Sequence, residues 1–267
     1  MTYQDLIDRF WQQYSREIKA AGKIHELFEK EGEHIANDHV ALRTFDDPRV
    51  DVDVLAKPFL EAGYEEKDHY DFPVKKLFAK HYQHKTDKNA PKVFISQLLT
   101  KEFSSELQKI VKDSIDKIPT NILNNPKELL FCKTPWEPLS YSDYEKLFKE
   151  SQYAAWMYVF GYRVNHFTVS VNHFKKYNTV AKVNEFLKSK GFTLNGEEGE
   201  VKGSPQELLE QSSIMAEKKP MKFKEGTFTV PSCYYEFAFR YPDKDGHLYQ
   251  GFVAASADKI FESTDRK

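Results

Sequence analysis

His39 and Arg43 stand four residues apart in Asn37-Asp38-His39-Val40-Ala41-Leu42-Arg43-Thr44-Phe45, with the small Ala41 between them. Apolar side chains alternate with others at period two, which predicts a strand. Val40, Leu42 and Thr44 take one face, and His39, Ala41 and Arg43 the other. Four residues of strand rise separate the two heads by roughly 13 Å, room for a small anion stretched from a metal on the imidazole to the guanidinium. The pattern returns in Arg163-Val164-Asn165-His166-Phe167-Thr168-Val169-Ser170-Val171, where His166, Thr168 and Ser170 share a face. Glu236 sits inside the apolar stretch 230–241, on the face of Tyr234 and Ala238. A carboxylate in such a strand is costly unless it is paired or bound to a metal. Each residue has a plainer reading: His39 and Arg43 facing water, Glu236 in an ion pair with Arg240. Two histidines and one carboxylate put the metal reading of His39, His166 and Glu236 ahead.

Two neutral imidazoles and a carboxylate suit non-haem Fe(II), leaving two positions for a bidentate substrate and one for dioxygen. Zinc with the same donors would serve hydrolysis by activating water. No HExxH pair occurs, which weakens the protease route. Spacing alone does not choose between iron and the zinc or manganese alternative. His81 and His84, three apart on an expected strand, point to opposite faces and read as structural. Cys132 and Cys233 make neither a disulfide framework nor a CxxC clip.

The elements that must position these residues follow from periodicity and turn signals. A helix is expected over 2–30, opened by a Thr2/Asp5 capping box and striped by Leu6, Phe10, Tyr14 and Ile18. After strand 37–45, Asp46-Asp47-Pro48 introduces a helix near 50–62, closed by Gly63, and strands near 64–72, 75–84 and 91–99. Residues 101–160 form a helical insertion, with an amphipathic helix, a proline-punctuated loop, and helices at 142–150 and 152–160. Its aromatic run Tyr153, Trp156, Tyr158 and Phe160 reads as core. Strand 163–171 leads to a helix near 175–190, closed by Gly191, then a polar stretch with a short helix at 204–217 begun by Ser204 and Pro205. Strand 230–241 turns through Pro242–Gly246 into an antiparallel strand at 247–254, which sets Pro242 opposite His247 and Val253 opposite Glu236. A final short helix starts at Ser256. The interval from His39 to Gly63 is nearly the same as that from His166 to Gly191, so each half reads as His-bearing strand, helix, glycine and further strands. Two βαβββ-type modules related by a pseudo-two-fold axis would face the two histidines across a shared sheet surface.

At 267 residues with 40% hydrophobic content, the chain can bury a substantial core. It reads as α+β and one domain over 1–267, with module one about 37–100, the insertion about 101–160 and module two about 161–255. A formal charge of -2 without a basic cluster excludes a nucleic-acid binder. Neither a membrane-length apolar run nor a signal-peptide core occurs, so the expected compartment is the cytosol. The sequence sets no oligomeric state.

Four motifs together, Asp38–Thr44, Val164–Thr168, Tyr234–Ala238 and Ser256–Glu262, resemble the DUF1338 family of the 2-oxoadipate dioxygenase/decarboxylase (D-2-hydroxyglutarate synthase) type. That resemblance spans essentially the whole chain and implies a vicinal oxygen chelate-like fold, the two modules forming a half-open barrel. It implies that His39, His166 and Glu236 hold Fe(II) beside the bound substrate, that Arg43 binds the 2-oxo acid, and that Val253 is a further substrate contact. The implied reaction turns 2-oxoadipate and O2 into 2-hydroxyglutarate and CO2. The chain is shorter than the long family members whose activity is established.

Overall fold

A computed structural model describes residues 1–196 and 199–253; the helix expected from Ser256 lies outside them. The first expected helix forms as two, α1 (Tyr3–Glu17) and α2 (Lys19–Lys30), parted at Ile18. The Thr2/Asp5 box is present, Asp5 N donating to Thr2 Oγ1 at 3.2 Å and Thr2 N to Asp5 Oδ2 at 2.8 Å. Ala20 N, in the first turn of α2, donates to Glu217 Oε1 at 2.7 Å. Such a distant partner for a helix start has no local signature.

β1 (Asn37–Phe45) precedes α3 (Val52–Glu61). The cap of α3 is Asp51, accepting from Val54 N at 2.9 Å, while Asp47 pairs with Arg49 at 2.7 Å. β2 (Tyr64–Phe72), β3 (Leu77–His84) and β4 (Lys92–Leu98) follow, close to expectation. The helical stretch comprises α4 (Ser105–Ile115), α5 (Thr120–Leu123), α6 (Pro126–Phe131), α7 (Tyr141–Glu150) and α8 (Gln152–Phe160). Then come β5 (Val164–Ser170), α9 (Val180–Ser189), β6 (Lys202–Ser204), β7 (Leu209–Ser213), β8 (Lys218–Phe223), β9 (Gly226–Pro231) and β10 (Glu236–Arg240).

Two expectations fail here for physical reasons. The helix at 204–217 does not form. Ser204 and Pro205 start one 3-10 turn, Leu208 takes a left-handed conformation (φ 62), and the chain leaves as β7. Pairing with β10 outweighs the local cap. The strand at 230–241 is two strands in two sheets, since β9 pairs with β8 while β10 pairs with β5 and β7.

The chain divides into two compact units. The first holds residues 1–10, 41–165 and 218–232. Its strands run in the order β2-β3-β4-β1, β2–β3 and β3–β4 pairing antiparallel. Phe10 stacks on Phe59 and Phe131 at 6.0 and 4.6 Å. The β8–β9 hairpin reaches α7 through Glu225, whose carboxylate accepts from Tyr141 N at 2.7 Å and Ser140 Oγ at 2.9 Å.

The second unit holds residues 11–40, 166–217 and the described residues from Cys233 onward. Its strand order is β1-β5-β10-β7-β6, with β10 parallel to β5 and antiparallel to β7. Buried Phe28 meets the rings of Phe174, Phe186 and Phe237 at 4.7, 4.8 and 5.9 Å. The two expected modules are recognisable: β1-α3-β2-β3-β4, and β5-α9-β6-β7-β10 interrupted by the β8–β9 hairpin. The order β2-β3-β4-β1 in one unit corresponds strand for strand to β6-β7-β10-β5 in the other, as an internal repeat requires. Helices and a mixed sheet make the fold α+β. Among the described residues no helix is long and apolar enough to cross a membrane.

Candidate metal centre

β1, β5 and β10 are consecutive in the sheet of the second unit, and each delivers one of the expected ligands. In the parallel β5–β10 register Glu236 lies opposite Thr168, so His166 projects from the same face two residues earlier. The rings of His39 and His166 stand 5.6 Å apart at 82°. His39 Nε2 lies 3.6 Å from Glu236 Oε1, and His166 Nε2 lies 3.4 Å from Oε2. One donor atom from each of these three buried residues falls within 4.8 Å of the others.

The site fits a divalent cation on its own terms. Glu236 Oε1 accepts from Gln211 Nε2 at 2.5 Å, but Oε2 is buried with no hydrogen-bond donor among the described residues. Burial pushes the Glu236 carboxyl up to about 8, the Gln211 bond working against it and the Asp38 charge adding to it. An ion between the three donors would take the orphaned oxygen and favour the ionised carboxylate.

The three side chains are themselves held. Asp38 Oδ1 accepts from His39 Nδ1 at 2.7 Å, which leaves Nε2 for a metal. Thr168 Oγ1 is 3.0 Å from that Nε2. Tyr234 stacks on His166 at 4.7 Å and 25°, and its carbonyl accepts from Tyr14 Oη. Arg240 pairs with Asp38, Nε to Oδ2 at 2.6 Å, and not with Glu236 as the competing reading had it. Sequence reasoning missed Asp38, because adjacent strand residues point to opposite faces; the contact is made by the ring edge nearest the backbone. It missed Gln211 by placing that residue on a helix.

Arg43 belongs to the first unit and is 2% exposed. Its guanidinium carbon lies 4.9 Å from the Tyr153 ring and 5.0 Å from that of Trp156. Both rings are pinned. Tyr153 Oη donates to Ser96 O at 2.7 Å and accepts from Thr44 N at 3.0 Å, while Trp156 Nε1 donates to Ser232 O at 3.0 Å. The aromatic run of α8 is buried as expected, and two of its members also wall the guanidinium. Their spacing of three, which shares a helix face, was the available signal.

The expected register of Val253 is not observed. Glu236 is flanked by Thr168 and Ser213, leaving no edge for a 247–254 strand. Among its described residues that segment makes one bridge, Pro242 with Leu248, one residue off the expected pairing, and Tyr249 N donates to Tyr241 O at 2.9 Å. Val253 is half-buried, and its neighbour Phe252 meets the His39 ring at 4.9 Å and 88°.

Comparison with known proteins supplies the family. The family model described as 2-oxoadipate dioxygenase/decarboxylase matches residues 1–242. A chloroplastic protein of that name from Arabidopsis thaliana is 38% identical over 87% of this chain and 69% of its own. The hydroxyglutarate synthase from Oryza sativa, solved in complex with 2-oxoadipate, is 33% identical with TM-score 0.92, covering 98% of this chain and 91% of the other. A Shewanella frigidimarina protein with a provisional hydrolase name is 46% identical with TM-score 0.89, over 95% and 98% of the two chains. The fold is shared with a Ralstonia eutropha protein provisionally placed in the glyoxalase superfamily, 19% identical with TM-score 0.75 over 94% of this chain and 85% of that one. On the extent of the family match and the identity to its members, the chain belongs to the 2-oxoadipate dioxygenase/decarboxylase family.

Proposed function

We propose that this protein is an Fe(II)-dependent dioxygenase/decarboxylase that converts 2-oxoadipate and O2 to 2-hydroxyglutarate and CO2. The observation that carries the reading is the buried donor set of His39, His166 and Glu236 within 4.8 Å, in a chain of this family. The relative from Oryza sativa bound to 2-oxoadipate supports the substrate. Iron held by these residues would supply the redox chemistry with dioxygen that oxidative decarboxylation needs.

The chain's own side chains do the rest. His39 and His166 present Nε2, and Asp38 fixes the His39 tautomer by accepting from Nδ1. Gln211 orients the Glu236 carboxylate. Arg43, four residues along β1 from His39, pairs with a substrate carboxylate and fixes the end of the oxo acid. The segment at Phe252 and Val253 contributes the further substrate contact beside His39. Cys132 and Cys233 are thiols, which suits a reducing, cytosolic compartment.

The test is metal analysis of anaerobically purified protein together with oxygen uptake on 2-oxoadipate. Iron at one per chain with oxygen-dependent CO2 release is expected, and His39→Ala or Glu236→Gln should abolish both. The hydrolase name of the Shewanella relative favours a second reading, zinc or manganese on the same donors. Turnover of a substrate without oxygen by the zinc- or manganese-loaded protein would select it.

A further inference from the structure

Arg240, Asp38, His39 and Phe252 close a ring of contacts inside the second unit. Arg240 donates from Nε to Asp38 Oδ2 at 2.6 Å and from Nη2 to Oδ1 at 2.8 Å. Oδ1 also accepts from His39 Nδ1 at 2.7 Å. On its other edge the same guanidinium donates from Nη1 to the carbonyls of Tyr249 and Gly251 at 3.1 and 2.7 Å. Its carbon lies 5.2 Å from the Phe252 ring, which in turn meets His39 at 4.9 Å. Asn172 fixes the Arg240 backbone, accepting from its N and donating to its O, both at 2.9 Å.

Arg240 is 3% exposed and Asp38 6%, so this ion pair is desolvated and its geometry is specified on both sides. The fork shape of the guanidinium is what the arrangement uses. Two donors face a carboxylate while another nitrogen faces two backbone carbonyls, a division an ammonium cannot make.

We propose that Arg240 and Asp38 are positioning residues that set the seating of backbone 249–252 and the orientation of the His39 imidazole together. The proposal rests on the reading that His39 holds the metal beside the substrate. It adds that the segment over His39 is registered to the ligand through one guanidinium. Neither residue touches the reacting atoms.

Arg240→Lys in the iron-loaded full chain is the test. Lysine keeps the charge on Asp38 but gives up the carbonyls of 249 and 251. Wild-type iron content is expected, with faster amide hydrogen exchange confined to 249–253. The KM for 2-oxoadipate should rise about tenfold or more while kcat changes less. Asp38→Asn should instead weaken iron binding about tenfold, read by chelator competition, and speed the same exchange. A folded Arg240→Lys protein with unchanged exchange at 249–253, or with unchanged KM at full iron content, overturns the proposal. Should Arg240→Lys not fold, Phe252→Leu takes its place, with faster exchange at 249–253 supporting the ring and unchanged exchange overturning it. Failure of the functional reading looks different: the wild-type protein would bind no iron and consume no oxygen, whatever the exchange at 249–253.

Discussion

Gln211 reaches Glu236 diagonally across the β7–β10 pair, its Nε2 donating to Oε1 at 2.5 Å while the register sets Gln211 opposite Ala238. Diagonal neighbours on one face of an antiparallel pair are within reach of long side chains. That bond stabilises the ionised carboxylate, the form a cation needs. Gln211→Leu should therefore weaken metal binding about tenfold, measured by titration against a competing chelator. Unchanged affinity would mean that the amide serves packing alone.

Glu236 also predicts how the metal-free protein responds to pH. Its carboxyl is raised from 4.5 to about 8 in the folded chain, mainly by burial. Between those values the folded protein keeps a proton that the unfolded chain has released. Stability must then fall as pH rises across the window, by an amount on the order of a few kcal/mol. In the metal-loaded protein the carboxylate is ionised throughout, and this slope disappears. Thermal melts with and without metal across pH 4.5 to 8 check it, and Glu236→Gln should flatten the metal-free curve.

Arg43 owes its aim to two aromatic faces. Trp156→Leu removes a wall at 5.0 Å from the guanidinium carbon and the bond to Ser232 O. The KM for 2-oxoadipate should rise about tenfold, with iron content unchanged because Trp156 is not one of the three proposed donors. Tyr153→Phe keeps the ring but loses the hydroxyl that fixes it to Ser96 and Thr44, and a smaller rise is expected. Steady-state kinetics at saturating iron decides both.

A stability prediction comes from the end of α8. Gly161 has φ 65, and a Cβ there would stand 1.9 Å from Lys133 O. Gly161→Ala should cost about 3 kcal/mol or more, read as a lowered melting midpoint, since the obstacle is backbone and cannot swing aside.

Much of the site was legible because a strand writes its faces into sequence. His39 and His166 lie on the polar face of alternating strands, Glu236 sits inside an apolar one, and the repeat of strand, helix and glycine set the two histidines in corresponding places. What stayed hidden depends on partners distant in the chain. Gln211 follows a good helix start at Ser204 and Pro205, and only pairing with β10 makes its segment a strand. The split of 230–241 is of the same kind, as the apolar run continues through residues that form no ladder. Asp38 is a limit of the face argument itself, since an imidazole's Nδ1 edge can turn toward its sequence neighbour. The register of Val253 failed because both edges of β10 were already taken.

That occupancy of β10 has a consequence for how an ion would come and go. The three donors are spaced by ladder hydrogen bonds between neighbouring strands, and closing a loop around the ion is not required to assemble them. An emptied centre should thus keep its shape and accept a fresh ion without refolding, unlike small modules that exist only around their metal.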